Sequence, residues 1–218
     1  KRPLELAIEI ASSKPYTISL SEGHEPRIVE AAVEAVNLGI AKIILVGKVE
    51  KVKHQLAKYP CSYPDRIKIH DPIRSSLIKE FSKSYYELRK HKGITYEDAK
   101  KQATSNLVYA ALLVKNGHAD GTLSGAVETT SNVVKTAIWV LGRATQVKTV
   151  SSCFLIFPKS HEPMIYADCG LVIEPNDEQL VDITIAASQS CKSLLNTDPR
   201  IALLSFSTKG SAKHRNTD

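Results

Sequence analysis

The 218-residue chain has a mass of 23.9 kDa, a size for one or two domains whose core needs no disulfide or metal staple. Hydrophobic residues make up 43% and charged residues 24%, which excludes disorder, collagen and coiled coil as overall descriptions. The net charge of +6 favours anionic partners, while aromatics at only 6% count against a surface built to stack bases.

No run of 18 apolar residues is present, so a transmembrane helix is not expected. Glu5 and Glu9 interrupt what would be the apolar region of a signal peptide. Residues 16–20 (YTISL) read as a strand. Residues 26–38 read as a helix with Ile28, Ala32, Ala35 and Val36 on one face, closed by Gly39. Residues 42–46 (KIILV) form a continuous apolar run, as a strand buried on both sides would. Residues 49–58 read as helix, 66–70 (RIKIH) as a third strand, and 71–90 as helix. Thr95 with Asp98 forms a capping box, and one long helix is expected from there to Asn116-Gly117. Residues 120–125 (DGTLSG) read as a short strand and turn, and 129–141 as helix.

The order then changes. Residues 150–157 and 164–168 read as a hairpin, 177–195 as a helix, and 200–205 (RIALLS) as a buried strand. Strand–helix alternation implies an α/β fold, a three-layer αβα arrangement with mostly parallel sheets. A boundary near Gln146 divides a first α/β domain, 1–146, from the start of a second, 147–218, which reads as incomplete. The four cysteines (Cys61, Cys153, Cys169, Cys191) show no metal-binding spacing. They read as reduced, mostly buried thiols of a reducing compartment.

Four segments could carry chemistry. The loop 205–213, SFSTKGSAK, combines small hydroxyls, a glycine and two lysines. Its backbone N–H groups could turn toward an anion with Lys209 adding a full charge, or it could be a polar loop in solvent. Ser124-Gly125-Ala126 precedes Thr129-Thr130-Ser131 at a helix start. Those hydroxyls and amides could bind an oxyanion, or simply cap the helix. Lys135 lies one turn beyond Ser131. Arg89, Lys90, His91 and Lys92 follow one another near a helix end, where basic residues complement the dipole. An arginine there could also clamp phosphate in bidentate fashion. Ser21 to Arg27, SEGHEPR, offers His24 as a base or as an ordinary loop residue.

Together the stretches SEGHEPRIVEAAV, YELRKHKGIT, ADGTLSGAVETTSNVVKTA, VKTVSSCFLIF, YADCG and LSFSTKGSAK resemble the phosphate acetyltransferases (phosphotransacetylases) of the phosphate acetyl/butyryltransferase family. They match in order from about Ser19 to Lys213. The resemblance implies two α/β domains with a cleft between them, a homodimer, and a cytoplasmic location. It implies interconversion of acetyl-CoA plus phosphate with CoA plus acetyl phosphate, with coenzyme A as substrate and no metal or other cofactor. The LSFSTKGSAK stretch favours the acetyl over the butyryl enzyme. By the same resemblance Arg89 holds phosphate or acetyl phosphate, and Lys135 stands where the family usually has arginine. Ser124, Gly125, Thr129, Thr130, Ser131, Ser207, Thr208, Lys209, Gly210 and Ser211 are the implied substrate-binding residues. Glu128 stands where histidine is common, and a carboxylate there should repel an anion. The family's Ser-Arg pair and its basic aspartate fall beyond Asp218, so low transfer activity is expected of this segment alone. A noncatalytic module that keeps phosphate or CoA affinity is the second reading. Nucleic-acid and membrane binding are not expected, since no recognised motif supports either.

Overall fold

The computed structural model describes residues 3–159 and 161–204. A helix the sequence reading does not assign, α1 (Pro3–Ser13), leads into β1 (Tyr16–Leu20). Then come α2 (Pro26–Asn37), β2 (Ala41–Val46), α3 (Val49–Leu56) and β3 (Ile67–His70). Next are α4 (Ile78–Arg89), α5 (Tyr96–Ala103), α6 (Asn106–Lys115), β4 (Gly121–Leu123) and α7 (Thr130–Val140). The four strands form a parallel sheet in the order β3-β2-β1-β4. The chain divides into two compact units after Arg143.

The apolar run of β2 is explained by its central place. Ile43 and Leu45 point into a core with Val29, Ala32, Val36 and Val52 of α2 and α3. Ile44 and Val46 point into the opposite core with Phe81, Tyr109, Ala110 and Leu113 of α4 and α6. Alternate residues therefore serve opposite faces, and the first unit has the three expected layers. α6 lies against the sheet and is covered by α4, α5 and α7. Its residues Val108 to Leu113 are all buried, so apolar side chains surround it on every side.

The single helix expected from residue 95 to 116 is two helices. Thr95 and Asp98 do form the capping box of α5. Thr104 then bonds its hydroxyl back to the Lys101 carbonyl at 2.7 Å, and Ser105 turns extended as the N-cap residue of α6. Hydroxyl side chains compete for backbone groups in this way and end helices. The helix expected from residue 71 likewise starts only at Ile78, after turns around Asp71 to Ser75.

The second unit contains β5 (Cys153–Ile156), β6 (Met164–Ala167) and α8 (Asp177–Leu195). β5 and β6 pair antiparallel, Cys153 opposite Ala167, as the hairpin pattern predicts. α8 starts at a capping box, Asn176 with Gln179, and stops at Asn196 in the left-handed conformation. The expected strand at 200–205 is corrected over its described part, because 200–204 is irregular. Ile201, Leu203 and Leu204 are exposed, and no strand among the described residues bonds them. The four cysteines are free, as expected, but none is buried, and Cys153 is exposed on β5.

Candidate functional site

The parallel sheet sets the site. β1 lies between β2 and β4, so the chain leaves β1 toward one edge and returns on its other side. In open α/β sheets such a reversal leaves a crevice at the strand C-termini where ligands bind. Here Ser21 and Glu22 follow β1, and Ser124 and Gly125 follow β4.

Glu22 fills that crevice. It is 5% exposed. Its Oε2 accepts the amides of Gly125 (3.1 Å) and Ala126 (2.9 Å), and its Oε1 those of Val127 and Glu128 (both 2.7 Å). Burial alone would raise its pKa, but these four N–H donors outweigh burial and hold it below the ordinary glutamate value. The turn does gather amides around an oxyanion, as small residues there allow, but the oxyanion is the chain's own. Gly125 thus has its N–H committed. The Ser124 hydroxyl accepts from Ser21 Oγ at 2.8 Å. Arg27 braces the outside of the turn by donating to the Ala126 carbonyl at 3.0 Å.

Beyond the turn, Thr129 acts as N-cap of α7, accepting the Asn132 amide at 3.2 Å. Thr130 and Ser131 are exposed on the first turn of that helix. A cavity of about 210 Å³ opens beside it, lined by Tyr85, Ser105, Glu128, Asn132, Lys135 and Trp139, among others. The α5–α6 break exposes Ser105 to this cavity.

Trp139 is a neighbour that the two cationic candidates share, although of the two only Lys135 lines the cavity. The Arg89 guanidinium carbon lies 4.1 Å from the ring centroid and the Lys135 ammonium 4.4 Å from it. The basic run at the end of α4 separates by role: Lys90 pairs with Glu87, while Arg89 turns to the tryptophan. Glu128, the acidic departure, does line the same cavity as Lys135 and accepts from the Asn132 side chain at 3.2 Å. His24 lines a separate depression of about 150 Å³ with Lys48, Lys51, Asp71, Thr104 and Asn106. Ser207, Thr208, Lys209, Gly210 and Ser211 lie outside the described residues, so the structure does not place them. Among the described residues, no group of three or more His, Cys, Asp and Glu side chains could hold a metal ion. Sequence reasoning missed two residues here. Glu22 sits in a loop without periodicity and finds its donors more than 100 residues away. Trp139 looks like one more apolar residue of an amphipathic helix.

A second self-satisfied carboxylate organises the other unit. Asp168 accepts the Ser152 amide at 3.0 Å, the Gly170 amide at 3.2 Å, and bonds from the Ser152 hydroxyl and the Val172 amide. Burial opposes its ionisation, but these bonds prevail and hold its pKa far below the usual carboxylate range. The Cys169 thiol lies 3.3 Å from the same Ser152 hydroxyl.

Comparison with known proteins bears on this geometry. Residues 4–218 match the model of a family described as phosphate acetyl/butaryl transferase. The chain is 36% identical over 220 residues to a phosphate acetyltransferase of Thermoanaerobacterium thermosaccharolyticum, covering 99% of this chain and 66% of that protein. It is 37% identical to a phosphate acetyltransferase of Acetivibrio thermocellus, covering 99% and 65%. The structure superposes on a phosphotransacetylase from Streptococcus pyogenes with a TM-score of 0.89 at 31% identity, covering 98% of this chain and 64% of that one. The match to the EutD phosphotransacetylase from Staphylococcus aureus has a TM-score of 0.84 at 30% identity, with the same coverage. The chain thus spans about two thirds of the length of the relatives it matches.

Proposed function

The chain belongs to the phosphate acetyl/butaryl transferase family, and from that premise we propose that it handles the phosphate end of acetyl transfer between acetyl phosphate and coenzyme A. In the direction of acetyl-CoA, the CoA sulfur bonds to the acetyl carbon as the carbon–oxygen bond to phosphate breaks. The thiol gives up its proton to become the attacking thiolate. Phosphate departs as an anion, and cationic donors that meet it as charge develops lower the barrier. Arg89 and Lys135 supply those donors.

The observation that supports the reading is that Lys135 lines the cavity together with Trp139, against whose ring Arg89 also lies. Coenzyme A is a substrate here rather than a resident cofactor, and neither nucleic acid nor a membrane is part of the proposal. Among the described residues no helix is long and apolar enough to cross a membrane. Four free cysteines suit a reducing compartment, and a cytoplasmic location belongs to the same proposal. A homodimer is part of the same proposal.

The test is acetyl-CoA formation from acetyl phosphate and CoA, with butyryl phosphate as the competing acyl donor. Lys135→Ala removes a charge-assisted contact and should weaken phosphate binding about tenfold or more. Lys135→Arg should tighten it, because a guanidinium grips phosphate with two parallel bonds. An unchanged phosphate constant in Lys135→Ala defeats the reading. The Glu128 carboxylate favours one alternative, a noncatalytic phosphate- or CoA-binding module. Calorimetric binding of CoA without turnover identifies that case.

A further inference from the structure

We infer that the depression at the ends of β1, β2 and β3 binds a small molecule carrying both a phosphate and free hydroxyl groups, of which a ribose phosphate is the simplest case. It shares no lining residue with the cavity beside α7, and the inference does not rest on the acetyl-transfer reading. Three loops on the carboxyl side of the sheet build it. His24 follows β1, Lys48 follows β2 with Lys51 in the first turn of α3, and Asp71, Pro72 and Ile73 follow β3. Thr104 and Asn106 close it from the α5–α6 break. The Gly23 amide donates to the Val46 carbonyl at 3.1 Å and the Gly47 amide to the His70 carbonyl at 2.9 Å, so the loops are stitched to one another. Arg74 ties the third loop to α3 by donating to Glu50 at 2.7 Å. Such bracing holds the lining groups in place before any ligand arrives.

Asp71 is the group that calls for a ligand. It is 8% exposed, and its Oδ1 accepts the Ile73 amide at 3.1 Å. Among the described residues no hydrogen-bond donor meets its Oδ2, and no cation pairs with the carboxylate. Buried carboxylates ordinarily gather several donors, as Glu22 and Asp168 do in this chain. Asp71 instead lines the depression with an acceptor to spare. Lys48 and Lys51 are exposed and, among the described residues, form no ion pair. With His24 neutral, the lining carries two positive charges against one negative, which disfavours a bare metal cation and favours an anion. The matching ligand presents an anion to the lysines and O–H donors to the carboxylate. A space of about 150 Å³ suits one phosphorylated sugar. A free sugar phosphate has this chemistry, and so does the phosphorylated ribose of coenzyme A.

The test is calorimetric titration of the full chain with ribose 5-phosphate, 2-deoxyribose 5-phosphate and inorganic phosphate. Ribose 5-phosphate should bind about tenfold or more tighter than inorganic phosphate, with the deoxy sugar between them. Asp71→Asn keeps the Oδ1 acceptor for Ile73 but loses the charge. It should weaken ribose 5-phosphate about tenfold and leave inorganic phosphate unweakened. Lys51→Met, at an exposed position, should weaken both ligands severalfold. Wild-type binding of ribose 5-phosphate no tighter than inorganic phosphate overturns the site, and so does a folded Asp71→Asn variant that binds the sugar as the wild type does. Should Asp71→Asn fail to fold, the deoxy sugar and Lys51→Met decide, and equal affinity for both sugars or an unaffected Lys51→Met overturns the site. Displacement of ribose 5-phosphate by coenzyme A assigns the site to the ribose of that molecule. Simultaneous binding of the two assigns it to a free sugar phosphate, and either result upholds the shared chemistry.

Discussion

Glu22 meets four amides in place of a metal or a salt bridge, and its energetics follow from that. Glu22→Gln keeps the shape but turns one acceptor oxygen into an NH2 group facing two N–H donors. We expect a loss of about 1–3 kcal/mol in stability, read as a lower midpoint in urea. The pH dependence has a definite sign. The native pKa lies below the unfolded one, so the carboxylate's contribution is complete above the unfolded value of about 4.3. It is lost as the pH falls through the native value. Glu22→Gln should therefore flatten the acid limb of the stability curve without changing its shape above neutrality. Gly23, the next residue, is equally constrained. A Cβ there would lie 2.9 Å from the Val46 carbonyl oxygen and 3.0 Å from the Val46 nitrogen. Both atoms are backbone and cannot swing aside. Gly23→Ala should cost at least about 1–3 kcal/mol, measurable as a fall in Tm.

Among elements, the strands and most helices of the first unit were legible because each carries one clean period. β2 shows an unbroken apolar run because both its faces are covered, and α2 shows a stripe because only one of its faces is. The α5–α6 break was less legible. Val108 to Leu113 are buried all round, so the apolar pattern runs on without a phase that could locate the join. Thr104-Ser105 was the available signal, two hydroxyl residues able to bond backbone. Thr95 anchors α5 through a reciprocal cap with Asp98, whose pKa is lowered first by the Thr95 side-chain bond. Thr95→Ala should destabilise the protein by about 1 kcal/mol, with hydrogen exchange rising first at the start of α5. The strand expected at 200–205 differs over 200–204 for another reason. An apolar run is only a candidate strand, and no strand among the described residues pairs with this one. At the candidate site, Arg89 and Lys135 could be named from sequence, whereas their meeting at Trp139 depends on how α4 and α7 pack.

At the scale of the molecule, burial is distributed unevenly. The first unit has two cores, one on each face of its sheet. Among the described residues of the second unit, Ile183 is the one buried apolar side chain, at 5% exposure. Ile173, Val181 and Ile185 are exposed. Regions with few buried apolar contacts open locally at low free-energy cost. Amides of α8 should accordingly exchange with solvent far faster than those of α6, in a native-state measurement at neutral pH. Comparable protection in both helices would contradict this distribution. Both units share an acid sensitivity, because each contains a carboxylate, Glu22 or Asp168, whose native pKa is depressed.

The sealed crevice at the end of β1 also defines a receptor in waiting. Truncating Glu22 to alanine would vacate a socket with four inward amides and no resident charge. Formate or acetate from the buffer could then dock in its place. Such chemical rescue would appear as a melting temperature that climbs with added formate in the truncated variant and stays level in its parent.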